Sequence, residues 1–202
     1  MSHYFTNDYV KSDERVIDVI IKDTKLKFIV DNGIFSKKGL DFGTRTLLEN
    51  IDLNKIKGDV LDFGCGYGPI GIYLKKVVNA NVDMIDINER ALNLASKNAK
   101  LNNVNINVFK SNIYENVTKK YDFIVTNPPI RVGKKILYDI LFGAVNHLKD
   151  EGELWLVVNK NQGAKSLAKD LEKTYDVTIV TKNKGFYIIC AKKRWLFDVK
   201  PL

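Results

Sequence analysis

The chain is poor in the residues that staple, ligate and punctuate. Its 202 residues include two cysteines, two histidines and four prolines. Cys65 lies in a glycine-rich stretch and Cys190 in an apolar run, which gives neither a disulfide framework nor a cysteine metal site. With His3 and His147 as the imidazoles, zinc or iron chemistry is not expected. There is no run of about 18 apolar residues to cross a bilayer. Met1-Ser2-His3-Tyr4-Phe5 also lacks the apolar stretch of a signal peptide. These absences lead us to expect a cytoplasmic protein with no membrane and no metal, and a monomer. Acids are in short supply too: 24 Asp and Glu face 32 Lys and Arg, a net charge of +8. That balance suits a polyanionic partner, because each phosphate neutralised releases counterions. A lysine-rich composition without such a partner would look the same.

Against this background one stretch organises the chain, Val60-Leu61-Asp62-Phe63-Gly64-Cys65-Gly66-Tyr67-Gly68-Pro69. Val60 to Phe63 is a short apolar run broken by one acid, as in a buried strand. Three glycines at alternate positions follow, then the helical pattern Ile70, Tyr73, Leu74, Val77, Val78. Strand, glycine turn and helix open a nucleotide-type site, where a backbone without Cβ atoms brings its N–H groups close to a ligand. A dinucleotide fingerprint would carry glycine at the first, third and sixth positions. Here Pro69 occupies the sixth place and Gly68 the fifth, which disfavours NAD. The next apolar run, Val82 to Ile87, ends in Asp86, a carboxylate suited to accepting both hydroxyls of a ribose.

The remainder alternates. Ile17, Val19 and Ile21, then Leu26, Phe28 and Val30, read as a β-hairpin around Lys22-Asp23-Thr24. Phe35 to Thr44 reads as a loop before a helix carrying Thr44, Leu47, Leu48 and Ile51. A helix is expected at 89–102 behind an Asn88 cap, strands at 105–110 and 121–126, and a helix at 134–148. Glu151-Gly152 reads as a turn into strand 153–158, followed by a helix on Ala164, Leu167, Ala168 and Leu171. Strands 176–181 and 185–191, joined through Lys182-Asn183-Lys184-Gly185, can pair only antiparallel. The expectation is therefore an α/β fold: a doubly wound, mostly parallel, seven-stranded Rossmann-like sheet with an antiparallel last strand. It forms one domain, with residues 1–34 an arm and added hairpin, 35–192 the core and 193–202 a basic tail. In such sheets the ligand crevice lies beyond the carboxyl ends of the strands, which groups the glycine loop, Asp86, Ser111-Asn112 and the end of the fourth strand.

At that end stands Thr126-Asn127-Pro128-Pro129-Ile130. Two prolines stiffen the turn and remove two N–H donors, leaving acceptors exposed. The Asn127 oxygen and the Pro128 carbonyl can each take one N–H of a planar amine and hold its nitrogen towards a methyl donor. Transfer is then in-line displacement governed by positioning and electrostatics.

Together these motifs carry a resemblance. Asp62-x-Gly64-x-Gly66-x-Gly68 resembles the first motif of class I S-adenosylmethionine-dependent methyltransferases, and Asn127-Pro128-Pro129 that of enzymes acting on planar nitrogens. With Phe35-Ser36 and Gly39-Leu40-Asp41-Phe42-Gly43-Thr44, residues 34 to 192 resemble the bacterial small-subunit rRNA guanine-N2 methyltransferases and the wider small-domain RNA and protein methylases. The resemblance implies S-adenosylmethionine as cofactor, held by Asp62, Gly64, Gly66, Gly68, Asp86, Ile87, Asn112 and Thr44. It implies Asn127 and Pro128 as the catalytic turn, and Phe35, Lys37, Asp41, Pro129, Ile130 and Arg131 as substrate-facing. RNA is the implied partner, with guanine N2, adenine N6 and a protein glutamine amide all fitting the turn; a non-catalytic RNA-binding module would share the charge. Lys37, Lys38, Arg131, Lys134 and Lys135 lie where phosphates would pass. The chain departs from those enzymes at Ile130-Arg131, where they carry an aromatic-His pair, and at Asn112, where they carry an acid; it also shows no counterpart of their N-terminal methylase-like domain.

Overall fold

The computed structural model describes residues 11–32, 39–129 and 133–194. Its centre is β3 (Gly58–Phe63), whose apolar residues are covered on both faces. Val60 faces one core layer and Leu61 the other, the alternation that a two-faced strand requires. On one side β3 pairs in parallel with β4 (Ala80–Asp86), which pairs with β5 (Asn107–Lys110). On the other it pairs in parallel with β6 (Tyr121–Thr126), followed by β7 (Leu148–Asn159). The last strand in sequence, β9 (Phe186–Lys193), inserts antiparallel between β7 and β8 (Tyr175–Asn183). The sheet order is therefore β5-β4-β3-β6-β7-β9-β8. This is the expected α/β fold, a seven-stranded Rossmann-like sheet with one antiparallel strand.

Helices cover both faces. On one lie α1 (Phe42–Asn50), α2 (Pro69–Val77) and α3 (Glu89–Leu101); on the other α4 (Gly133–His147) and α5 (Ala164–Leu171). Asn88 caps α3 as expected, its side chain accepting from the N–H groups of Arg90 and Ala91.

Two local readings change. Glu151-Gly152 is not a turn ahead of a strand: β7 begins at Leu148, and the pair forms a bulge inside it. The register jumps there from Tyr121↔Leu148 to Phe123↔Glu153, with Glu151 at φ 64. Gly152 is required, since a Cβ would sit 2.9 Å from the Lys149 carbonyl oxygen. The strand expected at 105–110 is shorter, and begins at Asn107.

The added hairpin, β1 (Arg15–Ile21) and β2 (Thr24–Val30), forms its own two-stranded sheet. Leu26, Phe28 and Val30 point into the core. Asn98 on α3 and Asn102, one turn later at its C-cap, take the place of a neighbouring strand. Asn102 accepts from the Lys27 N–H at 3.1 Å and donates to its carbonyl at 2.7 Å. Asn98 does the same for Ile29, at 2.6 and 2.9 Å. Asn98 also donates to the Tyr67 carbonyl at 2.9 Å, which fastens the hairpin to the glycine loop. Both asparagines are buried, so each such bond spares a backbone group that would otherwise be left dry.

Candidate active site

The crevice forms where the carboxyl ends of β3, β4 and β6 meet. Three backbone and side-chain ties align them. Thr126 donates through Oγ1 to the Phe63 carbonyl at 2.9 Å, the Cys65 N–H bonds the Ile85 carbonyl at 2.9 Å, and the Ser111 N–H bonds the Asp86 carbonyl at 3.0 Å.

Within the glycine loop, Gly64, Gly66 and Gly68 have φ of 69, 56 and 91°. The reasons differ. A Cβ on Gly64 or Gly66 would meet nothing within 4 Å, so at these two positions the backbone borders open space. A Cβ on Gly68 would strike Ile72 Cδ1 at 2.9 Å, so this glycine lets α2 pack. The loop thus presents two bare backbone positions to a ligand and one to the core.

Two carboxylates support it. Asp86 accepts from the Gly66 N–H and the Asn88 N–H, both at 2.9 Å, one through each oxygen. The carboxylate keeps acceptor capacity for a ligand hydroxyl. Burial raises the Asp86 pKa, and the hydrogen bonds from Asn88, Gly66 and Ile87 oppose that rise. Asp62 lies beneath the loop, wholly buried. Its Oδ2 accepts from the Gly71 N–H at 2.8 Å, and its Oδ1 has no hydrogen-bond partner among the described residues. Burial, with the nearby Asp86 carboxylate adding to it, pushes its pKa up to about 7. Ile87 is half-buried beside Asp86, and Asn112 is exposed in the turn after β5.

At the end of β6 the Asn127 side chain is held from behind. Its Nδ2 donates to Thr44 Oγ1 at 2.9 Å and to Asp41 Oδ1 at 3.2 Å. The same Asp41 oxygen caps α1 by accepting from the Thr44 N–H at 2.9 Å. With both donor positions of the amide directed at α1, Oδ1 is left as the acceptor. Pro128 is buried and Pro129 half-buried behind it. Tyr67, from the glycine loop, brings a buried hydroxyl without a hydrogen-bond partner among the described residues; burial, and then the nearby Asp41, raise its pKa.

The structure thus brings together Asp62, Gly64, Gly66, Gly68, Asp86 and Ile87 around the loop, and Asp41, Thr44, Asn127, Pro128 and Pro129 at the turn. Asn112 stands at the rim. Phe35, Lys37, Lys38, Ile130 and Arg131 lie outside the described residues. His147, at the end of α4, stacks on the Tyr114 ring at 4.4 Å. Sequence reading missed Asn98 and Tyr67. The Asn98–Asn102 spacing on a helix was the available signal for the first; for Tyr67 there was none, because its role depends on where Asp41 folds.

A site of this kind suits a ligand with vicinal hydroxyls and positive charge. Asp62 and Asp86 are both acids, and among the described residues no lysine or arginine is hydrogen-bonded to either. A pyrophosphate would be repelled there.

Comparisons with known proteins agree with this geometry. The family model described as methyltransferase small domain matches residues 25–190. YbxB of Bacillus subtilis, described as uncharacterized, is 42% identical over 197 residues, 95% of this chain and 98% of that protein. The ribosomal RNA small subunit methyltransferase C of Psychromonas ingrahamii is 39% identical over 145 residues, 69% of this chain but 41% of that protein. Among solved structures, a 16S rRNA N2 methyltransferase of T. thermophilus, in complex with AdoMet and guanosine, is similar with a TM-score of 0.80 at 25% identity. The similarity covers 90% of this chain and 51% of that one. The chain thus spans about half or less of the length of these two rRNA methyltransferases.

Proposed function

The chain belongs to the methyltransferase small domain family, and from that premise we propose that it is an S-adenosylmethionine-dependent N-methyltransferase acting on guanine N2 of ribosomal RNA. S-adenosylmethionine would supply an electrophilic methyl group on a sulfonium. The glycine loop would carry it, with the bare backbone at Gly64 and Gly66 against its body and Asp86 accepting from the ribose hydroxyls. The Asp86 carboxylate beside the loop favours a cation over a dinucleotide.

One observation carries the catalytic part. Because Asn127 Nδ2 is committed to Thr44 and Asp41, its Oδ1 is the atom offered to substrate. Oδ1 and the Pro128 carbonyl accept the two N–H groups of an exocyclic amine and hold its nitrogen in line with the methyl carbon. Acceptance of both hydrogens favours the tetrahedral, positively charged nitrogen that forms during transfer over the flat ground state. The neutral thioether would depart without assistance and the methylated nitrogen, now acidic, would release its extra proton to solvent, so the turn needs no strong base. RNA is favoured over a protein amide by the net charge of +8 and by the two rRNA methyltransferases to which the chain is similar. A guanine paired in a duplex cannot present N2 in line, so a loop or flipped-out nucleotide is the expected substrate. A cytoplasmic location accords with that substrate.

The test is incubation with radiolabelled cofactor and, separately, small-subunit rRNA, assembled subunits, DNA and a release factor, followed by nucleoside and amino-acid analysis. Label in N2-methylguanosine is expected. Label in N6-methyladenine or methylglutamine would replace the acceptor, and RNA binding without any transfer would make the protein a binding module.

A further inference from the structure

The antiparallel insertion of β9 has a consequence for substrate binding. Because Asn159 at the end of β7 pairs with Phe186 at the start of β9, the β8–β9 turn lands on the carboxyl edge of the sheet, the edge that holds the crevice. A backbone bond from the Lys160 N–H to the Gly185 carbonyl, at 2.6 Å, joins the turn to the end of β7. The turn is seated on the first turn of α1. The Phe186 and Phe42 rings lie 5.6 Å apart, and a Cβ on Gly43 would touch Phe186 at 3.0 Å. Phe42 adjoins Asp41, which bonds Asn127. Two residues, Phe42 and Asp41, thus link the tip to the catalytic turn.

This tip is basic. Lys160, Lys182 and Lys184 are exposed, and among the described residues none has a carboxylate within ion-pair distance. Lys182 lies over the Tyr187 ring at 5.2 Å and Lys184 over the Phe42 ring at 5.3 Å. The opposite end of the same strands is different. There Lys149 pairs with Asp59 and Asp122, Lys119 with Asp83, Lys193 with Asp150, Lys192 with Glu151, and Arg194 with Asp176. Cations on β7, β8 and β9 are thus neutralised away from the crevice and left uncompensated beside it. An uncompensated cluster next to a low-dielectric cleft focuses its field there.

We propose that Lys160, Lys182 and Lys184 form a phosphate-binding rim that holds the RNA backbone flanking the target nucleotide. The proposal rests on the reading that the substrate is RNA. The rim meets phosphates, whereas base selection stays with the Asn127 turn, so it adds affinity without sequence preference.

The experiment measures binding of fluorescein-labelled small-subunit rRNA across a salt series. Three full-length proteins are compared: wild type, the triple variant Lys160→Gln/Lys182→Gln/Lys184→Gln, and the control triple Lys25→Gln/Lys27→Gln/Lys57→Gln, which removes the same charge elsewhere. Wild type should show a steep salt dependence. In the rim variant the slope of log affinity against log salt should fall by roughly 2, at about 0.7 for each single-strand phosphate contact. Affinity at about 0.1 M salt should fall roughly ten- to a hundredfold, with S-adenosylhomocysteine affinity by calorimetry unchanged. A slope equal to wild type, or an equal loss in the control triple, overturns the rim while leaving the RNA reading in place. Altered S-adenosylhomocysteine affinity in the rim variant also overturns it, since the lysines would then serve the fold or the cofactor site. Salt-independent or absent RNA binding by wild type removes the RNA reading and the rim with it.

Discussion

Asn127 and Thr44, 83 positions apart in sequence, are joined by a 2.9 Å hydrogen bond from the amide Nδ2 to the threonine Oγ1. The bond fixes which way the amide faces, and so turns an asparagine, which could donate or accept, into an acceptor. Thr44→Val keeps the shape and removes the bond. Loss of a neutral hydrogen bond is worth about 0.5–1.5 kcal/mol, so kcat should fall roughly three- to tenfold by steady-state kinetics. An unaltered kcat would mean that Thr44 does not orient the amide.

Asn127→Ala removes the acceptor itself. Turnover should collapse while S-adenosylhomocysteine binds as before, because the lost contacts belong mainly to the transition state. Surviving turnover would exclude the proposed turn chemistry.

Asp86→Ala should weaken S-adenosylhomocysteine binding by about 1–3 kcal/mol, read by calorimetry. The Gly66 and Asn88 N–H groups lose their acceptor at the same time, so both amides should exchange faster with solvent in the free protein. Unchanged affinity with faster exchange would confine Asp86 to supporting the loop.

Asp62 makes stability depend on pH in a definite direction. Its folded pKa is raised from 3.8 to about 7, chiefly by burial. The folded state therefore holds the proton more tightly than the unfolded state, and this contribution is full below pH 3.8 and lost as pH rises through about 7. Asp62→Asn should flatten that part of the stability curve in urea titrations from pH 4 to 8. A slope identical to wild type would show that Asp62 is ionised throughout.

Asn98→Ala should destabilise the protein by about 1–3 kcal/mol, since it strands the Ile29 N–H and carbonyl in a buried setting. The Ile29 amide should lose protection from hydrogen exchange ahead of β3. Equal protection in the variant would indicate that β2 is held by its apolar face alone.

Much of this protein was set by its sequence. Apolar runs buried on both faces identify β3, β4 and β6 because no solvent-facing alternation is needed there. Glycines at Gly64, Gly66 and Gly68 announce a turn of positive φ, and Pro128-Pro129 announces a turn without donors. These are local properties, written within a few residues. Tertiary structure alone decided what those turns face. Asp41 and Thr44 meet Asn127 only because α1 packs beside the end of β6. Asn98 and Asn102 replace a missing strand only because α3 lies along β2. The bulge at Glu151 arises where β7 must stay in register with β6, and nothing in the Glu-Gly pair separates it from an ordinary turn. Lys182 and Lys184 join Lys160 at the carboxyl edge of the sheet because β9 runs antiparallel and returns its turn to that edge. Hydrogen bonds and fields act across a few ångströms of space whatever the separation along the chain, so a linear reading sees the donors and acceptors while the fold chooses the partners.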